Sequence, residues 1–511
     1  ATLGDTFVRA LRHRGRPVGI QNYIDDTGVQ VADVVVGFQH IEGKTLEQVA
    51  AMTGRFDYDC WDLYARVGDF YAADPSRKKL QAETLHAIEA GGNDAAALAE
   101  HVAARIVDCH LATMERLGIR YELLAHESDI LRLHFWDRAF TLLKEKGAIR
   151  LESEGKNAGC WVLSMEEGEE DDKIIVRSNG TVTYTGKDIA YQLWKLGKLD
   201  RDFRYKRHKT YGDGLVLWTS TSGEGEPGAP AFGHADAVYN VIDVGQSYPQ
   251  RVVKAGVAAL GHADAAANSH HLAYEKVTLS PATARALGYD VSQDEASVKV
   301  SGRKGLGVKA DDLFDALVAK ADSEIASRDP ERDGSSREAA ARAIATGALR
   351  YFLLKFGRTK IITFDMEEAL AFTGETGPYI QNGVVRARSI FAKLEADGHG
   401  RQALLDRARG LDLDALLSGE EGSEVWSLLA LMARSEEIVE QAVQAEEVAV
   451  LAKHAFAVAQ AFHSYYQKPK YSVLHAESDD LRAFRTMVVD AFVRQMAVLT
   501  HLLGIPLPER M

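Results

Sequence analysis

The chain has 511 residues, more than one ordinary hydrophobic core accommodates, so two or three domains are expected. Its 46% hydrophobic and 26% charged residues exclude a disordered chain. With 60 Lys plus Arg against 74 Asp plus Glu, the net charge of −14 excludes a body coated in nucleic acid, although it permits a local basic groove.

Leu3, Phe7, Val8 and Leu11 recur on one helical face, closed by Gly15 and Pro17. Residues 18–24 read as a strand, followed by a turn at Asp25-Asp26-Thr27-Gly28 and a second apolar run over 31–38. A helix feeding a strand is half of a βαβ unit, whose first strand is expected before Ala1. From about 45 to 150 the pattern is helical, with Trp61, Leu63, Val67, Ile106, Leu111 and Leu117 as apolar faces. Residues 150–260 are mixed, with strands at 161–163, 174–176 and 239–244 and loops at 166–172 and 222–228. Lys195, Lys198, Arg201, Arg204, Lys206, Arg207 and Lys209, with Phe203 and Tyr205 interleaved, form either a solvated charged face or a nucleic-acid groove. The polar stretch 322–338 reads as a hinge or exposed insertion, and nearly everything beyond Glu367 is helical. The order is α/β first and all-α last. No apolar run approaches the roughly 18 residues of a membrane span, which implies a soluble chain. Cys60, Cys109 and Cys160 lack zinc-type spacing and imply free thiols in a reducing compartment.

Three segments carry chemistry. In Thr183-Tyr184-Thr185-Gly186-Lys187-Asp188-Ile189-Ala190-Tyr191, Tyr184 and Asp188 are four apart and share one helical face. A phenol and a carboxylate facing one space suit a cationic group, guanidinium best of all, because its planar fork pairs bidentately with carboxylate. Helix capping and surface pairing with Lys187 is the alternative. Val241-Ile242-Asp243-Val244-Gly245-Gln246 reads as the C-terminal end of a core strand, where open α/β sheets bind ligands, or as a plain strand–turn–helix junction. The Gly-rich cationic segment from Lys299 to Lys309 either cradles phosphates or is a turn. His270 and His271 are adjacent, but no carboxylate or cysteine has ligand spacing, so no metal site is expected.

Tyr-x-x-x-Asp-Ile-Ala-Tyr-x-Leu-Trp-Lys, from Tyr184 to Lys195, resembles the arginine-recognition helix of arginyl-tRNA synthetases. The resemblance implies that Tyr184 and Asp188 hold the substrate guanidinium and that Glu127, within Tyr121-Glu122-Leu123-Leu124-Ala125-His126-Glu127-Ser128-Asp129, is the pocket's second carboxylate. It also implies that Gln246 contacts the bound amino acid and that Tyr274 and Val277, on a strand over 274–277, line the adenine site. Lys299-Val300-Ser301-Gly302-Arg303-Lys304 is similar to the class I signature Lys-Met-Ser-Lys-Ser, with Gly302 in place of the second lysine and Lys304 as its candidate substitute. Lys299, Ser301, Arg303 and Lys304 are then the implied catalytic residues. Residues 365–388, containing Thr376-Gly377-Pro378-Tyr379, resemble the linker between stem and anticodon domain. Residues 459–466 and the ending Pro508-Glu509-Arg510-Met511 resemble the helical anticodon-binding domain, with Tyr465, Tyr466 and Met511 as implied tRNA contacts and Phe462 in the core.

The implied architecture is a Rossmann-like class I catalytic domain with a helical insertion (1–312), truncated at its N-terminus, a stem or linker (313–375), and an all-α helical-bundle anticodon domain (376–511). The implied reaction is ATP-dependent formation of arginyl-adenylate and transfer to tRNA(Arg), assisted by Mg²⁺, in a cytoplasmic monomer without membrane partners. The first signature, His-Ile-Gly-His, is expected just before Ala1. Its absence predicts little aminoacylation by these residues alone and leaves the alternative of a truncated paralogue that binds tRNA or arginine without ligating them. A ligase for cysteine is disfavoured because its zinc ligands have no candidate.

Overall fold

Phe7, Ala10 and Leu11 form the buried stripe of the opening helix, Thr2–His13. A computed structural model describes residues 1–164, 173–291 and 307–511. After Gly15, which takes the left-handed conformation at the helix end, the chain enters strand β1 (Gln21–Ile24). The second apolar run is helical: Val29–Val36 continues as the π-helical turn Gly37–Ile41. With Phe56–Ala73, Lys78–Ala90 and Asp94–Arg116 it builds a helical insertion around Val35, Phe38, Phe56, Leu63, Leu98 and Val102.

Strand β2 (Leu123–His126) returns beside β1 in parallel, Ile24 opposite His126. The sequence reading had only helix there. Four residues are too few to display a period of two, and Leu123, Leu124 and Ala125 are all buried, as in a strand covered on both faces. The helix Phe135–Glu145 leads to an antiparallel insertion of β3 (Ile149–Leu151), β4 (Trp161–Leu163) and β5 (Lys173–Val176). The loop expected over 166–172 lies outside the described residues. Next come the helix Tyr184–Lys195 and the antiparallel pair β6 (Arg204–Thr210) and β7 (Val216–Thr221). β7 joins β2 in parallel, giving the sheet order β1-β2-β7-β6. Phe203 and Tyr205 are 4% and 6% exposed and pack with Phe135, Tyr191 and Trp194, so the interleaved aromatics are core, not a stacking platform. The cations between them pair at the surface, Lys209 with Glu115 and Arg207 with Glu226, which is the solvated-face alternative.

β8 (Val238–Asp243) and β9 (Ser269–Tyr274) pair in parallel, as do β10 (Val277–Leu279) and β11 (Ile362–Phe364). Residues 322–338 are no loose insertion. They belong to a hairpin of the helices Ala310–Arg328 and Gly334–Leu354, turning only at 329–333. Leu317, Ala321 and Ile325 recur at helical spacing beneath the polar surface and pack with Ala341, Ile344 and Ala348.

Thr376 accepts from the Tyr379 amide and Pro378 occupies the first turn, which starts the helix Gly377–Ala396 where the sequence places a break. With Ala449–Tyr466 and Asp479–Leu503 it encloses a core in which Phe462 and Phe492 stack 3.7 Å apart. Asp479–Leu503 is long and apolar enough to cross a membrane by composition, contrary to the sequence expectation. Here its Phe484, Val488, Phe492, Met496 and Leu499 are buried in the bundle, each such burial contributing about 1.5–3 kcal/mol. Phe7 and Leu11 of the first helix join this same core and tie the chain's start to its end.

Candidate active site

The register that sets Ile24 opposite His126 delivers Asp25 and Glu127 side by side, one residue beyond the C-terminal ends of two parallel strands. That edge is where parallel α/β sheets bind ligands. Asp26 braces it, accepting from the Ser128 amide (2.9 Å) and hydroxyl (2.6 Å) and lying 3.0 Å from His126 Nδ1. Burial acts to raise the Asp26 carboxyl, yet the bonds from His126 and Ser128 hold it below the ordinary aspartate value.

Glu127 is buried and heavily bonded. Its Oε2 accepts from Tyr23 Oη at 2.6 Å, and its Oε1 accepts from Thr27 Oγ1 at 2.7 Å and from Lys187 Nζ at 2.5 Å. Lys187 comes from the helix Tyr184–Lys195, which buries Ile189, Ala190, Leu193 and Trp194 on its inner face. Thr183, just before it, donates to the β5 carbonyls of Ile174 and Ile175 and so fixes the helix start to the insertion. Gly186 permits a close approach there, because a Cβ at this position would stand 2.8 Å from the Trp136 ring. The helix thus brings Lys187 and Asp188 to Glu127 and Asp25.

The two aspartates are unlike Glu127. Among the described residues neither Asp25 nor Asp188 is bonded or ion-paired to another side chain. Burial pushes Asp188 up to about 6, with Lys195 and Lys187 opposing and Glu127 and Asp25 adding to the rise. Asp25 is exposed to solvent, but desolvation by the surrounding chain and then Glu127 push it to about 6 as well, against Lys187. Through these two groups the fold loses stability as pH climbs from the ordinary 3.8 towards 6, because the native state binds the extra protons.

Tyr184 opens the same helix, 52% exposed and one turn from Asp188 as the four-residue spacing predicts. Its ring and that of Tyr248 lie 5.5 and 5.2 Å from Lys173 Nζ, at the edge of a cavity of about 690 Å³. Gln246 ends the short turn Val244–Gln246 beyond β8 and is exposed. Among the described residues no hydrogen bond joins it to the carboxylates. The structure therefore gathers Glu127 and Asp188, places Tyr184 on a cavity whose lining includes Lys173, Arg177 and Tyr248 but none of the carboxylates, and leaves Gln246 beyond β8, in the separate β8-β9 sheet.

Tyr274 ends β9 opposite Asp243, and Val277 begins β10; both are partly open to solvent. The strand expected over 274–277 is two strands, because the Glu275 amide turns to the Arg358 carbonyl and the chain changes partner from β8 to β11. Lys299, Ser301, Arg303 and Lys304 lie outside the described residues. His270 pairs with Glu446 at 2.7 Å, and His271 Nε2 lies 3.1 Å from the Ile242 carbonyl.

Tyr465 departs from expectation. It is 2% exposed, donates to Glu421 at 2.9 Å and stacks beside Tyr471, so it offers no free ring face to a base. Tyr466 is partly exposed but stacks on Phe462, and Met511 lines a cavity of about 640 Å³ with Phe372, Ile325 and Arg510 beside the helical hairpin. The sequence reading missed Tyr23, Asp25, Thr27 and Lys187. An acidic turn directly after an apolar strand was the available signal, since ligand groups gather at strand ends.

Carboxylates at a strand edge without side-chain partners among the described residues fit a forked cation. Residues 380–511 match the DALR anticodon binding domain family. The arginine–tRNA ligase of Thermococcus kodakarensis is 34% identical over 100% of this chain and 77% of its own length. That of a Thermus thermophilus strain is 35% identical over 100% of this chain and 78% of its own. The solved structure of a Thermus thermophilus arginyl-tRNA synthetase matches with a TM-score of 0.80 at 31% identity, covering 100% of this chain and 79% of that one.

Proposed function

The chain belongs to the arginine–tRNA ligase family, and from that premise we propose that the carboxylate cluster beyond β1 and β2 holds the guanidinium of L-arginine during ATP-dependent ligation to tRNA(Arg). The observation that carries this reading is Asp188, a desolvated carboxylate without a side-chain partner among the described residues, one helical turn from Tyr184 and beside Glu127. A guanidinium pairs with Asp188 bidentately, and Tyr184 supports the bound side chain from one helical turn away. Gln246, at the end of β8, meets the amino-acid end of the substrate. Tyr274 and Val277 border the adenine, and Lys299, Ser301, Arg303 and Lys304 neutralise the transferring phosphates.

In the first step an oxygen of the arginine carboxylate attacks the α-phosphorus of ATP in line, and pyrophosphate leaves. In the second, the terminal ribose hydroxyl of the tRNA attacks the arginyl carbonyl and AMP leaves with the bonding pair. Positioning and charge stabilisation supply most of the acceleration. Mg²⁺, which the family reaction implies, would be carried by the phosphates of ATP and help to neutralise them. We further propose 1–312 for catalysis, 313–375 for a stem and 376–511 for anticodon binding, in a cytoplasmic monomer; the match of residues 380–511 to the DALR anticodon binding domain family supports the last of the three regions. Tyr466 and Met511 remain the proposed tRNA contacts of that last region, while Tyr465 supports its core.

Calorimetric titration of the 511-residue chain with L-arginine tests the pocket. Asp188→Asn removes the charge and keeps the shape, and binding about 10- to 100-fold weaker is expected. Unchanged affinity in that variant removes the assignment.

A further inference from the structure

We infer that Arg358 is a positioning residue for the adenine wall: it clasps the backbone on both sides of Tyr274 and ties that clasp to the 446–447 turn of the helical bundle. The inference rests on the proposed adenine site at Tyr274 and Val277 and adds the group that sets the direction of the Tyr274 side chain.

Arg358 lies in the connection between the helix Gly334–Leu354 and β11. Its Nη1 donates to the carbonyl of Ala273 at 3.1 Å, and its own carbonyl accepts from the amide of Glu275 at 2.9 Å. These two groups belong to the planar peptide units on either side of the Tyr274 Cα, and only φ and ψ of Tyr274 turn between them. Holding both planes fixes the two angles and with them the direction in which the side chain leaves the backbone. Tyr274 stands where such a hold matters, because β9 ends there beside β8 and pairing with β11 begins only at Val277. The residue is 38% exposed, so packing alone does not fix it.

The other half of the clasp is in the bundle. Arg358 Nε donates to the Glu446 carbonyl at 3.1 Å, and the Arg358 amide donates to Glu447 Oε2 at 3.2 Å. Both acceptors sit in the turn between the helices Ser435–Gln444 and Ala449–Tyr466, within the part of the chain that matches the anticodon binding domain family. Glu446 holds a left-handed φ of 53°, uncommon for a residue with a side chain, and its carboxylate lies 2.7 Å from His270 Nδ1, four residues before Tyr274 on β9. The turn therefore grips β9 twice, once through His270 and once through Arg358. Among the described residues no carboxylate pairs with the Arg358 guanidinium. It bridges two main-chain carbonyls instead, a task for a rigid fork that the single ammonium of a lysine does not match. Simple attachment of the bundle to the sheet would not require a bond to each of the two peptides that flank one exposed ring.

The test is calorimetric binding, by the full chain, of L-arginine and of arginyl-sulfamoyl-adenosine, a non-reactive stand-in for arginyl-adenylate that also carries the adenine. The wild type is compared with Arg358→Met, Glu446→Gly and Tyr274→Ala. Arg358→Met is expected to bind the adenosine compound about tenfold more weakly while its L-arginine affinity stays within about twofold of the wild type. Glu446→Gly suits the left-handed backbone and so does not strain the fold, but it releases His270 and loosens the turn. About threefold weaker binding of the adenosine compound alone is expected of it. Equal losses for the two ligands in Arg358→Met mean that the residue only holds the fold together, and they overturn the inference. Wild-type binding of the adenosine compound in Arg358→Met or in Glu446→Gly overturns it as well. If Tyr274→Ala binds that compound weakly while Arg358→Met matches the wild type, the adenine reading stands and this inference alone fails. If Tyr274→Ala matches the wild type, the adenine reading fails and the inference goes with it.

Discussion

Arg350 and the carboxylate cluster beyond β1 and β2 are two solutions to one chemical problem, the burial of a guanidinium, and they differ in who supplies it. Arg350 is 0% exposed, and each of its three nitrogens is met by its own chain. Its Nε donates to the Leu503 carbonyl at 2.8 Å, one Nη to the Leu117 carbonyl at 3.0 Å, and the other to Asp5 at 2.5 Å and Thr6 Oγ1 at 3.3 Å. Burial acts to lower its pKa and Asp5 opposes this; a guanidinium stays charged regardless. These bonds join the first helix, the end of the helical insertion and the last helix of the bundle. The cluster presents acceptors of the same kind, with two of its carboxylates unmet by any side chain among the described residues. A charge site completed within the fold contributes stability and joins domains, whereas one left incomplete is available to a ligand.

Breaking the completed site has the larger effect. Arg350→Met leaves the buried carboxylate of Asp5 with Arg9 alone and is expected to cost about 3–5 kcal/mol in denaturant unfolding. Arginine affinity of the molecules that remain folded should not change. A loss below about 1 kcal/mol contradicts the role given to Arg350. Tyr465→Phe sharpens the comparison at smaller scale. It deletes one hydrogen bond to Glu421, which Arg485 still holds through both oxygens at 2.7 Å, so about 1 kcal/mol is expected. The tRNA affinity of this variant, read by filter binding, should equal that of the wild type. A clear drop would restore Tyr465 to the RNA surface.

The incomplete site was the more legible of the two. Tyr184 and Asp188 stand four apart in a chemically odd pairing, and Glu127 sits where an apolar run becomes acidic. Their neighbours were hidden for physical reasons. Asp25 reads as an ordinary turn residue until the register of β1 against β2 sets it beside Glu127. Lys187 reads as surface charge because its partner lies 60 residues away. Exposure was the least legible property: Phe203, Tyr205 and Tyr465 sit among charged or polar letters, and only tertiary packing shows them buried. The polar outer face of 322–338 likewise outweighed the stripe of Leu317, Ala321 and Ile325 beneath it. Arg350, near the end of an Ala/Leu-rich helix, carried no local sign that two of its partners lie near the two ends of the chain.

Titration of the chain with L-arginine and with L-citrulline at about pH 7.5 addresses the open site most directly. The two ligands match in length and shape, but citrulline carries a neutral urea whose oxygen would face the carboxylates. Arginine is predicted to bind at least about 100-fold more tightly. Equal affinities would show that no unmet pair of acids selects the ligand by its charge.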